Sequence, residues 1–457
     1  MSNITAVQTG SGWDVDGPTT TQVLVNLDTN GLPTGSLITP DGQPVGGAGA
    51  VLVGADKVRS MLSDIRTGGW QRVNLGFHGH SIIQGVSSDD TANLDLTAAQ
   101  AWRQRSVAAM LSRALNGAVG GTWAGGIETA APSQRLFFTL SGAVISGPFA
   151  PAGPGGHVIA LTNATDTCTF TAAGTSVRVY CYASAAGVVA RYSINGGATQ
   201  SATAAPSTPT GYVAGSNTLV WYEFTISGLT AGDTVQLIGP ASGSSTNNYR
   251  VHAVDLAYTT SAGISLHRLA VMGYMGAQTV AAYLDDTDIQ PGNTAYWTAP
   301  GVAAQRAMQT DSVTTRLGLS GVFNMFDVND IKGYNFSGQA WGWTLATLER
   351  HMTNYLAAME ARNLPVILCL GPLRDPAAAD TAGTPYTQAD IIDLYKRLAD
   401  ASTNCAYIDL TAEWSGSLAE RYAAQQATGL IYDTVHPNGK GSAYFGAQRI
   451  AQALLSA

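Results

Sequence analysis

Charge is scarce in this chain. Of its 457 residues only 12% are Asp, Glu, Lys or Arg, and the formal net charge is -8. A chain of that composition offers no basic surface for nucleic acid, and a polyanionic partner is not expected. Cysteine is scarce too, with four residues at positions 168, 181, 369 and 405. None forms a C-x-x-C pair, and four are too few for a disulfide framework. Cys369 and Cys405 lie in apolar runs and read as buried thiols, while Cys168 and Cys181 flank a predicted hairpin, where a cross-strand bond is an open alternative. Long hydrophobic runs are missing, so no segment is expected to span a bilayer. The first residues, Met1 to Gln8, lack the basic and apolar regions of a secretory signal, so a standard secretory route is not expected.

What is present is enough chain for at least two cores and a change of pattern along it. Residues 1–55 are rich in Gly, Thr, Pro and Asp, with short β-like runs such as Gln22 to Leu27 between turn signals. They read as an extended arm or small β-element packing on a neighbour, with a flexible tail as the alternative. Residues 56–120 begin an α/β rhythm: a strand running towards Ser81, then apolar positions Val107, Met110, Leu111, Ala114 and Leu115 at helical spacing. Residues 121–262 break it, alternating with period two and rich in Thr, Ser, Val and Tyr. They predict an inserted all-β sandwich of jelly-roll type.

Over 263–457 the α/β rhythm returns, with apolar runs at Leu269 to Met272, Val322 to Phe326, Pro365 to Leu370 and Ala406 to Leu410. With the strand before Ser81 these predict a five-stranded parallel sheet buried on both faces. Helical patterns at Leu345 to Met359, Ile391 to Leu398 and Ala447 to Leu454 supply the covering layers. The expected architecture is a flavodoxin-like three-layer α/β/α fold.

Two local patterns carry chemistry. In Asp433-Thr434-Val435-His436-Pro437 a carboxylate three positions before an imidazole can hold Nδ1–H and leave Nε2 as a general base. In Gly79-His80-Ser81-Ile82-Ile83-Gln84-Gly85 a strand stops at glycine and delivers a serine into a turn, where one residue could supply both the attacking hydroxyl and an amide donor. Ile83 at the second glycine position separates this from the G-x-S-x-G elbow. The H-x-H pair His78 and His80 offers a rival, since two imidazoles on one strand face have metal-ligand spacing. The remaining histidines at 157, 252, 267 and 351 follow no series of apolar strands that would complete such a site.

Taken in chain order, the Ser81 segment, the glycine turn Val271 to Thr279, the Asn329-Asp330 pair after an apolar strand, and Asp433-x-x-His436-Pro437 resemble the four sequence blocks of the SGNH (GDSL-type) hydrolases. The resemblance implies Ser81 as nucleophile, the Ser81 amide, Gly276 and Asn329 as oxyanion hole, and His436 and Asp433 completing a triad, with no metal and no organic cofactor. Gly273 competes with Gly276 for its role. Two positions depart from the family pattern: His80 stands where an aspartate usually precedes the serine, and Asp327 where a glycine usually precedes the asparagine by two. By resemblance to carbohydrate esterases carrying jelly-roll modules, the expected activity is removal of O-acetyl or other short acyl groups from a carbohydrate. The expected substrate is an acetylated bacterial surface polysaccharide. The glycine-rich arm resembles a virion attachment device, so a phage tail or extracellular location is expected, with the cytoplasm as alternative and a homo-oligomer left open. Trp123, Tyr212, Trp221 and Tyr222 in the insert read as core or sugar-stacking residues, and Trp297, Trp341 and Trp343 as candidates to line the pocket. A lipase or thioesterase with the same triad, and a non-catalytic glycan-binding surface protein, are the other readings.

Overall fold

The structure, a computed structural model, describes residues 50–85, 106–121, 126–129, 138–146, 158–172, 174–183, 190–202, 205–206, 220–241, 249–255, 262–270, 317–331, 335–336, 339–340, 343–378 and 383–457. Among the described residues its central sheet has six strands: β1 (Leu52–Val53), β2 (Arg72–Gly79), β3 (Gly263–Ala270), β4 (Gly321–Asn324), β5 (Val366–Leu370) and β6 (Cys405–Asp409), in the order β1-β6-β5-β4-β2-β3. Five of these are parallel, as expected, and β1 adds an antiparallel edge through Leu52 opposite Ile408. The last residues of the expected arm therefore belong to the sheet; residues 1–49 lie outside the described residues.

Counted along the chain, the five parallel strands lie in the spatial order 2-1-3-4-5, the flavodoxin-like arrangement. The chain leaves β2 for β3 on one side and returns to β4 on the other, so the direction of winding switches between β2 and β4. In an open α/β sheet the crevice beyond the strand ends at that switch is where sites are built.

Alternation along the strands sends side chains into two cores. Val73, Leu75 and Phe77 of β2 and Phe323 of β4 pack with α1 (Arg59–Thr67), α3 (Val107–Val119) and the C-terminal helix, which runs through Gly439–Ala443, Tyr444–Ala451 and Gln452–Ser456. On the opposite face Val322, Val366, Leu368 and Leu370 pack with α5 (Leu345–Glu360) and α6 (Gln388–Ala401). Both faces being covered explains why these strands read as continuous apolar runs. α5, α6 and α7 (Leu418–Ala427) each start at a capping box, on Thr344, Thr387 and Ser417, an arrangement that stabilises each start by about 1 kcal/mol.

β3 begins six residues before the apolar run that marked it in sequence, because its middle is polar: Ser265, His267 and Arg268 are buried there. Ser265 accepts a hydrogen bond from Arg72 Nη1 at 2.7 Å, and His267 Nε2 pairs with Asn74 Oδ1 at 3.2 Å. Among the described residues β3 is the last strand on its side of the sheet, and Asn116 of α3 covers part of that edge by accepting from Ile264 N–H and donating to Ile264 O, both at 2.7 Å.

Between α3 and β3 lie two antiparallel sheets. One orders the strands 200–202, 190–194, 234–238, 167–171 and 139–141; the other orders 205–206, 220–227, 176–183, 249–255, 158–161 and 144–146, with 127–129 also pairing on 249–255. Cys168, Phe170, Val235 and Leu237 from the first meet Ile159, Val177, Val179, Cys181 and Phe224 from the second in one core, which makes this a β-sandwich. The expected hairpin between Cys168 and Cys181 is absent. The consecutive strands Thr167–Thr171 and Ser176–Ala183 go to opposite sheets, and both cysteines are buried thiols in the shared core. Tyr180, on the same strand as Cys181, instead belongs to the core cluster of the α/β domain. Among the described residues no helix is long and apolar enough to cross a membrane.

Candidate active site

β2 ends at Gly79, and Ser81 opens the single helical turn α2 (Ser81–Gln84). Two glycines make this geometry available. A Cβ on Gly79 would meet Ile83 Cγ1 at 2.6 Å, so only glycine lets the turn fold back against the strand end. Gly85, at φ +91°, closes the turn in the left-handed region by donating to the carbonyls of Ser81 and Ile82 at 3.0 Å. Ile83, where the nucleophile elbow would have glycine, is fully buried in the sheet core and anchors the turn. The Ser81 N–H, first in the turn, has no partner within it.

Asp433 and His436 come from the loop between α7 and the C-terminal helix. Ile431 pairs with Pro437 as an isolated antiparallel bridge, Tyr432 N–H donates to His436 O at 2.8 Å, and Leu430, Ile431 and Val435 are buried as anchors. Inside this tight loop Asp433 Oδ1 accepts the N–H groups of Val435 and His436 at 2.8 Å each. Its Oδ2 pairs with His436 Nδ1 at 2.7 Å, and His436 Nε2 lies 2.7 Å from Ser81 Oγ. Burial alone would push the Asp433 carboxyl up, but the His436 ring and the two amides hold it well below the usual carboxylate range. Ser81, His436 and Asp433, 355 residues apart at their extremes, form one hydrogen-bonded line, with the hydroxyl buried and the carboxylate half-exposed. Such a line can deprotonate the hydroxyl and hold the resulting imidazolium in place.

Asn329 lies on the turn α4 (Asp327–Asp330) just beyond β4 and is buried. β4 and β2 are paired neighbours, Asn324 opposite His78, with Met325 N–H donating to His78 O at 3.2 Å. Ser81 and Asn329 therefore follow adjacent strand ends on the two sides of the switch point. Gly276 and Gly273 lie outside the described residues; β3, which precedes them, ends with Ala270 opposite Gly79 on the other flank of β2.

Other sequence candidates divide. His78 Nδ1 pairs with Tyr355 OH at 2.7 Å, and burial pushes its ring down to about 3. His78 thus faces α5 as a neutral imidazole, and His80 is buried. Among the described residues no three His, Cys, Asp or Glu side chains gather as a metal site. Trp343 is a core residue, buried edge-on against His351 rather than lining a pocket. Trp123, Tyr212, Trp297 and Trp341 lie outside the described residues.

The structure adds one residue that sequence reading passed over, and gives partners to another, Asp327, that it noted only as a departure from the family pattern. Tyr432, whose N–H donates to His436 O at 2.8 Å, stands immediately before Asp433. Tyr432 is 46% exposed, an aromatic side chain at the start of the loop that carries Asp433 and His436. Its signal was available, an aromatic immediately before the D-x-x-H-P motif. Asp327 is wholly buried, and its Oδ2 accepts from Gly371 N–H at 3.0 Å and Gln388 Nε2 at 2.9 Å. No local pattern announced that long-range pairing.

No family model and no curated protein matches the chain. Among solved structures it is similar to that of a peptidoglycan O-acetylesterase, with a TM-score of 0.54 at 14% identity over 88% of this chain and 97% of that one. A carbohydrate esterase family 2 enzyme with a carbohydrate binding domain, from Corynascus thermopiles (Myceliophthora fergusii), aligns at 12% identity over 69% of this chain and 98% of that one. Its TM-score of 0.29 is too low to carry an argument. The first likeness, extending over nearly all of both chains, is a likeness of fold.

Proposed function

We propose that this protein is a serine esterase of the SGNH (GDSL-type) kind that removes O-acetyl or other short acyl groups from a carbohydrate. One observation carries the reading: the unbroken line Ser81 Oγ, His436 Nε2, His436 Nδ1, Asp433 Oδ2, with 2.7 Å at each hydrogen bond, at the switch point of a flavodoxin-like sheet. Ser81 Oγ attacks the ester carbonyl while His436 Nε2 takes its proton, and Asp433 stabilises the imidazolium. The tetrahedral oxyanion is held by the Ser81 amide, the Asn329 side chain and Gly276. Collapse expels the sugar hydroxyl, which regains the proton from His436 and leaves acyl-Ser81. Water, deprotonated by His436, then releases the carboxylic acid and restores the serine. No step needs a metal or cofactor.

The carbohydrate assignment draws support from three sources: the fold shared with a peptidoglycan O-acetylesterase, the exposed Tyr432 side chain immediately before the Asp433–His436 loop, and the β-sandwich inserted between α3 and β3. We read that sandwich as a jelly-roll-type module that positions a polymer, and the segment 1–49 as attachment to a larger particle such as a phage tail. Acetate release from a panel of acetylated bacterial surface glycans tests the substrate class, and comparison of 4-nitrophenyl acetate with the octanoate tests the acyl length. Activity on the octanoate alone points to a lipase or thioesterase. Inactivity on every ester leaves only a glycan-binding role.

A further inference from the structure

A five-residue segment that takes no part in proton transfer is bound to both halves of the site. Residues 371–375 leave the C-terminal end of β5, between the turn that carries Asn329 and the loop that carries the acid and base. Gly371 N–H donates to Asp327 Oδ2 at 3.0 Å. Gln388 Nε2 donates to that same oxygen and to Pro372 O, each at 2.9 Å, while Gln388 Oε1 accepts Arg374 N–H at 2.8 Å. Gln425 of α7 takes both polar groups of Leu373, its Oε1 accepting the N–H at 2.9 Å and its Nε2 donating to the carbonyl at 2.8 Å. Asp375 N–H then donates to Thr434 O at 2.9 Å. Next along α7, Gln426 Nε2 donates to Asp433 O at 2.9 Å. The carbonyls of both residues that begin the Asp433–His436 loop are thus held from outside it.

Gln388 and Gln425 are completely buried, with both ends of each amide engaged. A buried amide is stabilising only while all its partners stay in place, so the pair enforces one geometry of the segment rather than a range of them. Asp327 lies two residues before Asn329 on the same turn. The connection therefore runs from the Asn329 turn through Asp327 and Gln388 into residues 371–375, and from Asp375 to Thr434 between the acid and the base.

We infer that Gln388 is a positioning residue that, through residues 371–375, holds the Asp433–His436 loop in register with the Asn329 turn. Its kinetic consequence rests on the esterase reading; its structural consequence does not. Removing the Gln388 amide deletes three hydrogen bonds and loosens the anchor on Thr434, so that His436 Nε2 drifts from Ser81 Oγ. Misplacements of about 1 Å at a catalytic group cost on the order of 10²-fold in rate. Substrate binding is untouched, so the loss falls on kcat and not on KM.

The test compares the full-length wild type with Gln388→Ala, Asp327→Ala and Asp327→Asn. Two quantities are read: kcat and KM on 4-nitrophenyl acetate per titrated active site, and the low-field proton resonance of the His436 Nδ1–H to Asp433 hydrogen bond. Titration removes any fraction that has failed to fold. The expected result is a kcat lowered roughly 10- to 100-fold at constant KM in Gln388→Ala and Asp327→Ala, with the low-field resonance broadened or lost. Asp327→Asn, which keeps an acceptor for Gly371 and Gln388, should recover most of what Asp327→Ala loses. Wild-type kcat per site with an unshifted resonance in Gln388→Ala overturns the inference while leaving the esterase reading intact. A wild type that turns over no ester defeats the esterase reading instead, and the resonance alone then decides the positioning role. Equal damage in Asp327→Asn and Asp327→Ala also counts against it.

Discussion

Replacing Asp327 by asparagine should change the pH dependence of stability more than stability itself. The Asp327 carboxyl is fully buried, and burial, reinforced by the charges of Asp330 and Asp409, pushes it up to about 7 against the opposing hydrogen bonds from Gln388 and Gly371. In the unfolded chain such a carboxyl titrates near roughly 3.9. Between these values the folded protein holds a proton that the unfolded chain has lost, so stability is full below the unfolded value and declines as pH rises through about 7. About three pH units at ~1.36 kcal/mol each set a ceiling of roughly 4 kcal/mol lost between pH 4 and pH 8, and relaxation around the charge reduces this to about 2 kcal/mol or more. Asparagine keeps an acceptor towards Gly371 and Gln388 and carries no charge. Its NH₂ group falls where Asp327 Oδ1 is buried without a hydrogen-bond partner, at a cost of about 1–3 kcal/mol that does not vary with pH. The assay is calorimetric unfolding of wild type and Asp327→Asn at pH 5 and pH 8. The difference in Tm, variant minus wild type, should become more positive from pH 5 to pH 8. Every other titrating group is shared, so parallel pH dependences in the two proteins would refute a buried, proton-binding Asp327.

Asp433→Asn should lower kcat on 4-nitrophenyl acetate by roughly 10²-fold or more, since the amide cannot stabilise the imidazolium, with KM little changed in steady-state kinetics. Because the Asp433 carboxyl is held low, its stabilising contribution is present above the unfolded carboxylate range and lost as pH falls towards its folded value; the wild type should therefore lose stability more steeply than Asp433→Asn as pH falls below about 4, a difference in slope that paired acid titrations measure. Tyr432→Ala should raise KM for an acetylated glycan several-fold while leaving 4-nitrophenyl acetate turnover within about twofold, as expected if the ring stacks on sugar. Replacing residues 121–262 with a Gly/Ser linker should preserve small-ester hydrolysis and depress polymer hydrolysis, provided the linker variant folds by circular dichroism; because Tyr180 of the insert is buried in the α/β core cluster, it should also melt at lower temperature than wild type.

The parallel sheet and the pairing of Asp433 with His436 were legible for local reasons. Both-face burial writes strands as apolar runs, and Asp433 and His436 are only three positions apart. What could not be read shares one property: its cause is distant in sequence. The two-residue strand Leu52–Val53 has no periodicity of its own and exists because β6 offers an open edge. The polar middle of β3 is satisfied by Arg72 and Asn74, 193 residues away. The strands of Cys168 and Cys181 look like hairpin partners because they are consecutive, yet burial of both inward faces sends them to opposite sheets. Gln388 and Gln425 read as ordinary helix residues until their partners, 61 and 52 positions away, are in place.

The central claim is that His436 activates Ser81 as a nucleophile, and covalent capture tests it most directly. Wild type and Ser81→Ala are incubated with a fluorophosphonate, and their intact masses and labelled peptides are measured beside 4-nitrophenyl acetate turnover. A single adduct on Ser81 in the wild type, none in Ser81→Ala, and a loss of turnover of roughly 10³-fold or more in the variant is the predicted result. Label on another residue, or a Ser81→Ala protein that keeps more than about a tenth of wild-type turnover, would contradict it.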